Sequence, residues 1–77
     1  MSEVIDEQVS VNFMKTPTSL YWRGRRYVIT KVGLHHVTHE GRTLLHIFSV
    51  TDGTTAFKLE LNSEVLSWKL LEIDSLP

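Results

Sequence analysis

"FSVTDGTTAFKLELN", residues 48–62, decides the fold of this chain. Phe57, Leu59 and Leu61 alternate with Lys58 and Glu60, the two-residue period of a strand buried on one face. Just upstream, Asp52-Gly53 is a strong hairpin signal, because a type I′ turn needs positive φ at both central residues. Closing the chain there sets Phe48 opposite Phe57, His46 opposite Leu59 and Leu44 opposite Leu61. The apolar faces of the two strands then coincide.

The same face extends in both directions. In "LSWKLLEI", residues 66–73, Leu66, Trp68 and Leu70 alternate with Ser67 and Lys69, and "NSEV" can close a hairpin that sets Leu61 against Leu66 and Leu59 against Trp68. Upstream, "THEGR" fits a three-residue loop with Gly41 in a bulge, which sets Leu34 against His46 and Val32 against Phe48. A two-residue loop there would turn Lys31 and Gly33 toward the core and is disfavoured for that reason. Arg23-Gly24 closes a further hairpin with Trp22 opposite Arg25 and Leu20 opposite Tyr27. Ile29 and Val32 both belong in the core despite their odd spacing, which predicts a bulge near Thr30 and Lys31. Val9, Val11 and Phe13 alternate in a first strand over residues 8–14.

These pairings predict an all-β fold, an antiparallel meander of about six strands. Val37, Leu45, Ile47 and Leu71 lie on a second apolar face, so the sheet should curl strongly or into a small barrel, accept a cover, or dimerise around Val37, Leu45 and Ile47. One all-β domain over residues 8–74 is expected, with a flexible segment at 1–7 and a tail at 75–77. The chain has 77 residues and no cysteine, which leaves out a disulfide scaffold. It has no apolar run long enough for a signal peptide or a membrane span, and is expected to be cytoplasmic.

Charge is unevenly spread. Residues 15–43 hold six cations against the single acid Glu40, while both flanking segments are acidic. The basic stretch "WRGRRYVIT", residues 22–30, places aromatic and cationic side chains together, as a nucleic-acid contact requires. Arg23, Arg25, Arg26 and Lys31 would meet phosphates, and Tyr21 or Trp22 would stack on bases. The alternative is that Trp22 closes one end of the core while the arginines face water, or that basic and acidic segments pair across the sheet. An RNA-recognition signature fits only in part, because Arg25 and Thr30 stand where it needs stacking aromatics.

Other chemistry has little foothold. His35 and His39 would share one strand face but lie ~13 Å apart, with His36 and His46 expected on the opposite face, so no metal site is predicted. Serine and threonine lie in no nucleophile motif, and the four glycines are isolated, so neither an enzyme nor a bound cofactor is expected.

The combination "PTSLYWRGRRYVITKV", then "FSVTDG" with "FKLEL", then "WKLLEI", resembles a family of small bacterial proteins of unknown function. That family is marked by a P-x-x-F-x-W-x-G-x-x-Y-x-V core and a closing W-x-L strand. Pro17, Trp22, Gly24, Tyr27, Ile29, Phe57, Leu59, Trp68 and Leu70 match, while Leu20 replaces the usual Phe and His36 stands near a frequent Trp. The resemblance implies one all-β domain of bacterial type and brings no ligand or catalytic residue.

Overall fold

A computed structural model describes residues 2–76, all in one sheet or its turns. Seven strands form: β1 (Ser2–Phe13), β2 (Pro17–Trp22), β3 (Arg25–Val28), β4 (Lys31–Glu40), β5 (Thr43–Thr51), β6 (Thr55–Asn62) and β7 (Ser67–Ser75). Their order is β3-β2-β1-β7-β6-β5-β4, antiparallel throughout. The first strand begins at Ser2, not at residue 8. Residues 2–7, expected to be flexible, pair with β7. At the other end β7 runs through Ser75, and the Leu76 N–H bonds the Thr54 carbonyl, so only Pro77 of the expected tail lies outside the described residues, as Met1 does at the start.

Chain connectivity forces the sheet to curl. β3 and β4 are its two edges, and a flat seven-stranded sheet would hold them ~29 Å apart at ~4.8 Å per strand. Only Ile29 and Thr30 join them, and the three Cα steps from Val28 to Lys31 reach at most ~11 Å. The sheet therefore bends until its edges meet at one corner, where the Ile29 N–H bonds the Thr18 carbonyl and the Thr30 N–H bonds the Thr51 carbonyl at 2.8 Å. No ladder joins β3 to β4 beyond that corner, so the result is a curled sheet and not a closed barrel. The break at Ile29 and Thr30 also lets both Ile29 and Val32 reach the core.

Most of the expected core forms, with Phe48, Phe57, Leu59, Leu61, Trp68 and Leu70 buried together beside Leu20 from β2 and Val50 from β5, while Leu34 and Leu66, expected on the same face, are exposed. Hairpin registers nonetheless differ from the sequence reading. Phe48 pairs with Leu59 and not Phe57, and Leu61 pairs with Trp68 and not Leu66. Each register slides by two residues, and a slip of two keeps every side chain on its own face. The cause is the same in both hairpins. Asp52 Oδ1 accepts the N–H groups of Thr54 (2.9 Å) and Thr55 (2.8 Å), and Asn62 Oδ1 accepts those of Glu64 (3.0 Å) and Val65 (3.4 Å). Asn62 caps its turn from the last position of β6 and Asp52 from the residue just past β5, which moves each loop one place down the chain. Gly53 at φ +103° then becomes the first central residue of its turn.

The longer loop after β6 ends on Leu66 at φ +56°, a left-handed conformation that costs a residue with a Cβ ~1–2 kcal/mol. Leu66 is 70% exposed and so recovers little by burial. Leu66→Gly should raise stability by about 0.5–1 kcal/mol, after allowing for the greater freedom of glycine in the unfolded chain. A thermal melt should show a rise of a few degrees, whereas a fall would mean that the leucine side chain packs usefully.

β4 departs furthest from expectation. Glu40 pairs with Thr43 around the two-residue loop Gly41-Arg42, the loop that the sequence reading disfavoured. The register then shifts between Val32 and Leu34, at Gly33, so Val32 still faces Val50 and the core. The bulge thus absorbs the parity cost at Gly33, and not at Thr30 and Lys31. Beyond it, His35 pairs with Phe48 and Val37 with His46 on the core face, while His36 pairs with Ile47 and Thr38 with Leu45 on the other. The proposed trio of Val37, Leu45 and Ile47 is therefore split between opposite faces. Leu45 (7% exposed) and Ile47 (5%) are covered within the monomer, flanked by Asn62 and Glu60 on β6, and only Val37 stands open.

Candidate functional site

The β2–β3 hairpin folds as its sequence predicts, with Trp22 opposite Arg25, Tyr21 opposite Arg26 and Leu20 opposite Tyr27. Arg23 and Gly24 both adopt positive φ, +51° and +75°, so the chain reverses in the two-residue geometry that suits the strand twist. Arginine is a costly choice for the first of these positions. The compensation comes from β1, across sixteen residues of sequence.

Glu7 is the partner that sequence reasoning missed. Arg23 Nη2 donates to its Oε2 at 2.6 Å, and the Trp22 indole N–H donates to its Oε1 at 3.2 Å. The hydrogen bond from Arg23 holds the Glu7 carboxyl below its ordinary pKa, burial opposes that shift, and the Trp22 bond reinforces it. In turn the Glu7 carboxylate raises the Arg23 guanidinium above its usual value. The acidic N-terminal segment thus pairs with the basic stretch, as one reading of the charge pattern anticipated. No local pattern marks Glu7, because its two partners come from another strand.

The six candidate nucleic-acid residues separate accordingly. Trp22 is half-buried against the core, with the Arg23 guanidinium 4.6 Å from its ring centroid and Tyr27 at 6.2 Å. It and Arg23 serve the brace to Glu7. Tyr21 is 45% exposed and points to the outer face beside Arg26. Arg25, Arg26 and Lys31 are exposed, and among the described residues none has a carboxylate within ion-pair distance. Arg25 lies with its guanidinium 5.1 Å from the Tyr27 ring centroid. Arg26, on β3, and Lys31, on β4, are five residues apart along the chain, up to ~17 Å at strand spacing.

Elsewhere the surface is shallow. A polar depression lies among Glu40, Thr43, Glu60, Asn62 and Lys69, with Leu45 in its wall. Among the described residues no three of His, Cys, Asp or Glu cluster as a metal would need. Among the described residues no helix is long and apolar enough to cross a membrane. No family model, curated protein or solved structure matches the chain.

Proposed function

We propose that this chain is a noncatalytic binding module that holds a short single-stranded nucleic acid along the β2–β3 hairpin. The observation that carries the reading is the pairing of exposed Tyr21 with Arg26 on the outer face; Arg25, on the other face of the same hairpin, and Lys31, at the start of β4, are two further exposed cations. An aromatic ring offers a stacking surface that tolerates any base, and free cations supply the sequence-independent attraction to phosphates. The brace of Glu7, Trp22 and Arg23 supports the reading by making the hairpin rigid before a ligand arrives.

The test is fluorescence anisotropy with labelled ten-nucleotide DNA and RNA at low ionic strength. Three phosphate contacts should give a slope of log affinity against log salt near −2, at ~0.7 per contact on a single strand. The double variant Arg25→Glu, Arg26→Glu should weaken binding more than ~10-fold, and Tyr21→Ala should cost ~1–3 kcal/mol of affinity. An unchanged anisotropy with both oligonucleotides at low salt would end the proposal.

A second reading is favoured by the other edge. β3 is four residues long and carries two arginines, both of which discourage pairing with another chain. β4 is ten residues long, carries no lysine, arginine or carboxylate between Lys31 and Glu40, and exposes Leu34 and Val37. A strand edge of that kind suits a protein partner or a second copy of the chain. This interaction module would pair through β4 rather than through the buried Leu45 and Ile47. Sedimentation at rising protein concentration distinguishes the two readings.

A further inference from the structure

The register of the β4–β5 hairpin has a chemical consequence. The two-residue loop brings His35 and His46 to the same face, diagonal to one another across the ladder. His35 Nε2 and His46 Nδ1 stand 2.9 Å apart, with the two rings nearly parallel at 24°. His35 also lies flat on Phe48, with centroids 4.2 Å apart and planes 7° apart, and Phe48 is itself buried in the core. One histidine is therefore pinned to a rigid ring, and the other projects from a central strand. Two neutral imidazoles in this contact share a single proton between two inward lone pairs.

We propose that His35 and His46 form a two-histidine site for a first-row transition-metal dication that favours imidazole, with zinc, nickel and copper as the class. A metal–nitrogen bond of ~2.0–2.1 Å at a tetrahedral angle requires the two nitrogens ~3.3–3.4 Å apart. The observed spacing is shorter by ~0.4–0.5 Å, which a small ring rotation supplies. In the neutral pair the bridging proton sits on one of the facing nitrogens. A change of tautomer moves it to the outer nitrogen of the same ring and frees both lone pairs, so no proton need leave.

No third side chain joins the pair among the described residues, so solvent or an exogenous donor completes the coordination from the open side of His35. Around the pair, β5 presents Leu44 and Phe48, β6 presents Leu61, β7 presents Trp68, and β4 presents Val37 and, two places beyond it, His39. None of these is a fixed charge, and His39 is the one other titratable neighbour. Of the proposed nucleic-acid contact only Lys31 shares a strand with this pair, four residues before His35 on β4, and neither result bears on the other.

The test is titration of the full chain with zinc chloride and with nickel chloride in a buffer that does not chelate, at about pH 7.5 and again at about pH 5, where free imidazoles are protonated. Histidine side-chain NMR is the readout. At the higher pH, His35 Nε2 and His46 Nδ1 should shift together at one equivalent of metal, and at the lower pH the shifts should be absent. His35→Phe keeps a ring over Phe48 and should weaken binding at least ~10-fold, since even an outer-shell partner is worth that much. His46→Gln should do the same, and His36→Ala, on the opposite face, should bind as the natural chain does. The proposal is overturned if neither metal shifts the two histidines, if binding persists at the lower pH, or if His36→Ala loses as much as His35→Phe.

Discussion

Phe57→Ala will lower the free energy of unfolding by about 3–5 kcal/mol, the range for removing a fully buried phenylalanine and leaving a cavity. Phe57 is 1% exposed, pairs with Val50 and Ile73 on its two neighbouring strands, and receives the edge of the Tyr27 ring at 5.1 Å. That last contact joins β6 to β3 across the interior of the curl, so truncation loosens the packing between distant parts of the sheet. A 77-residue domain has only about 4–12 kcal/mol in total, at ~0.05–0.15 kcal/mol per residue. The variant should therefore lose a large share of its total stability. Urea unfolding followed by tryptophan fluorescence measures the change, because Trp68 is buried in the same core. Phe57→Leu, which leaves a smaller void, should retain most of the stability. Equal losses from the two substitutions would show that ring packing, and not filled volume, holds this centre.

Asp52→Ala is expected to cost about 2 kcal/mol, since hydrogen bonds to a charged acceptor contribute ~1.5–3 kcal/mol and this one carboxylate serves a whole turn. Its Oδ1 accepts the N–H groups of Thr54 and Thr55 and also the Thr54 hydroxyl at 3.1 Å. Partial burial pushes the Asp52 carboxyl upward, but those hydrogen bonds outweigh it and hold the group below its ordinary value of 3.8. A folded-state pKa below the unfolded one stabilises the protein at pH values above the unfolded value. The contribution is lost as pH falls from about 4 through the folded value. The natural chain should therefore lose stability on acidification below about pH 4 more steeply than Asp52→Ala does. Asp52→Asn keeps an oxygen acceptor and should lie between them, with the acid dependence of the alanine variant. Parallel acid titrations of all three chains would contradict this account of the turn.

The two substitutions test the two kinds of information in the sequence. Alternation of Phe57, Leu59 and Leu61 with Lys58 and Glu60 identifies the buried face, and the same alternation around Trp68 and Leu70 extends it. Alternation is blind to a slip of two residues, because the pattern repeats every two. The choice between registers rested on the Asp52 and Asn62 side chains, whose turn-capping bonds outweigh the simpler dipeptide signal at Asp52-Gly53.

Of the candidate site, the β2–β3 hairpin and the pairing of Tyr21 with Arg26 were legible from Arg23-Gly24 alone, since a two-residue turn leaves one register. The role of Trp22 was not, because its partner Glu7 arrives from β1. Residue identity and spacing thus dictated the strands and, on β2, β5, β6 and β7, which side chains face inward, all being interactions between chain neighbours. Which strands became edges depended on β1 pairing with β7 across the length of the chain. Two residues between β3 and β4 then compelled the sheet to curl, and the curl does not cover the outer half of β4. There the side chains of β4 stay exposed on either face, so the Gly41-Arg42 loop sets the parity and a bulge at Gly33 returns Val32 to the core. That loop put His35 beside His46, and the long-range closure left His35 exposed at the edge of the sheet.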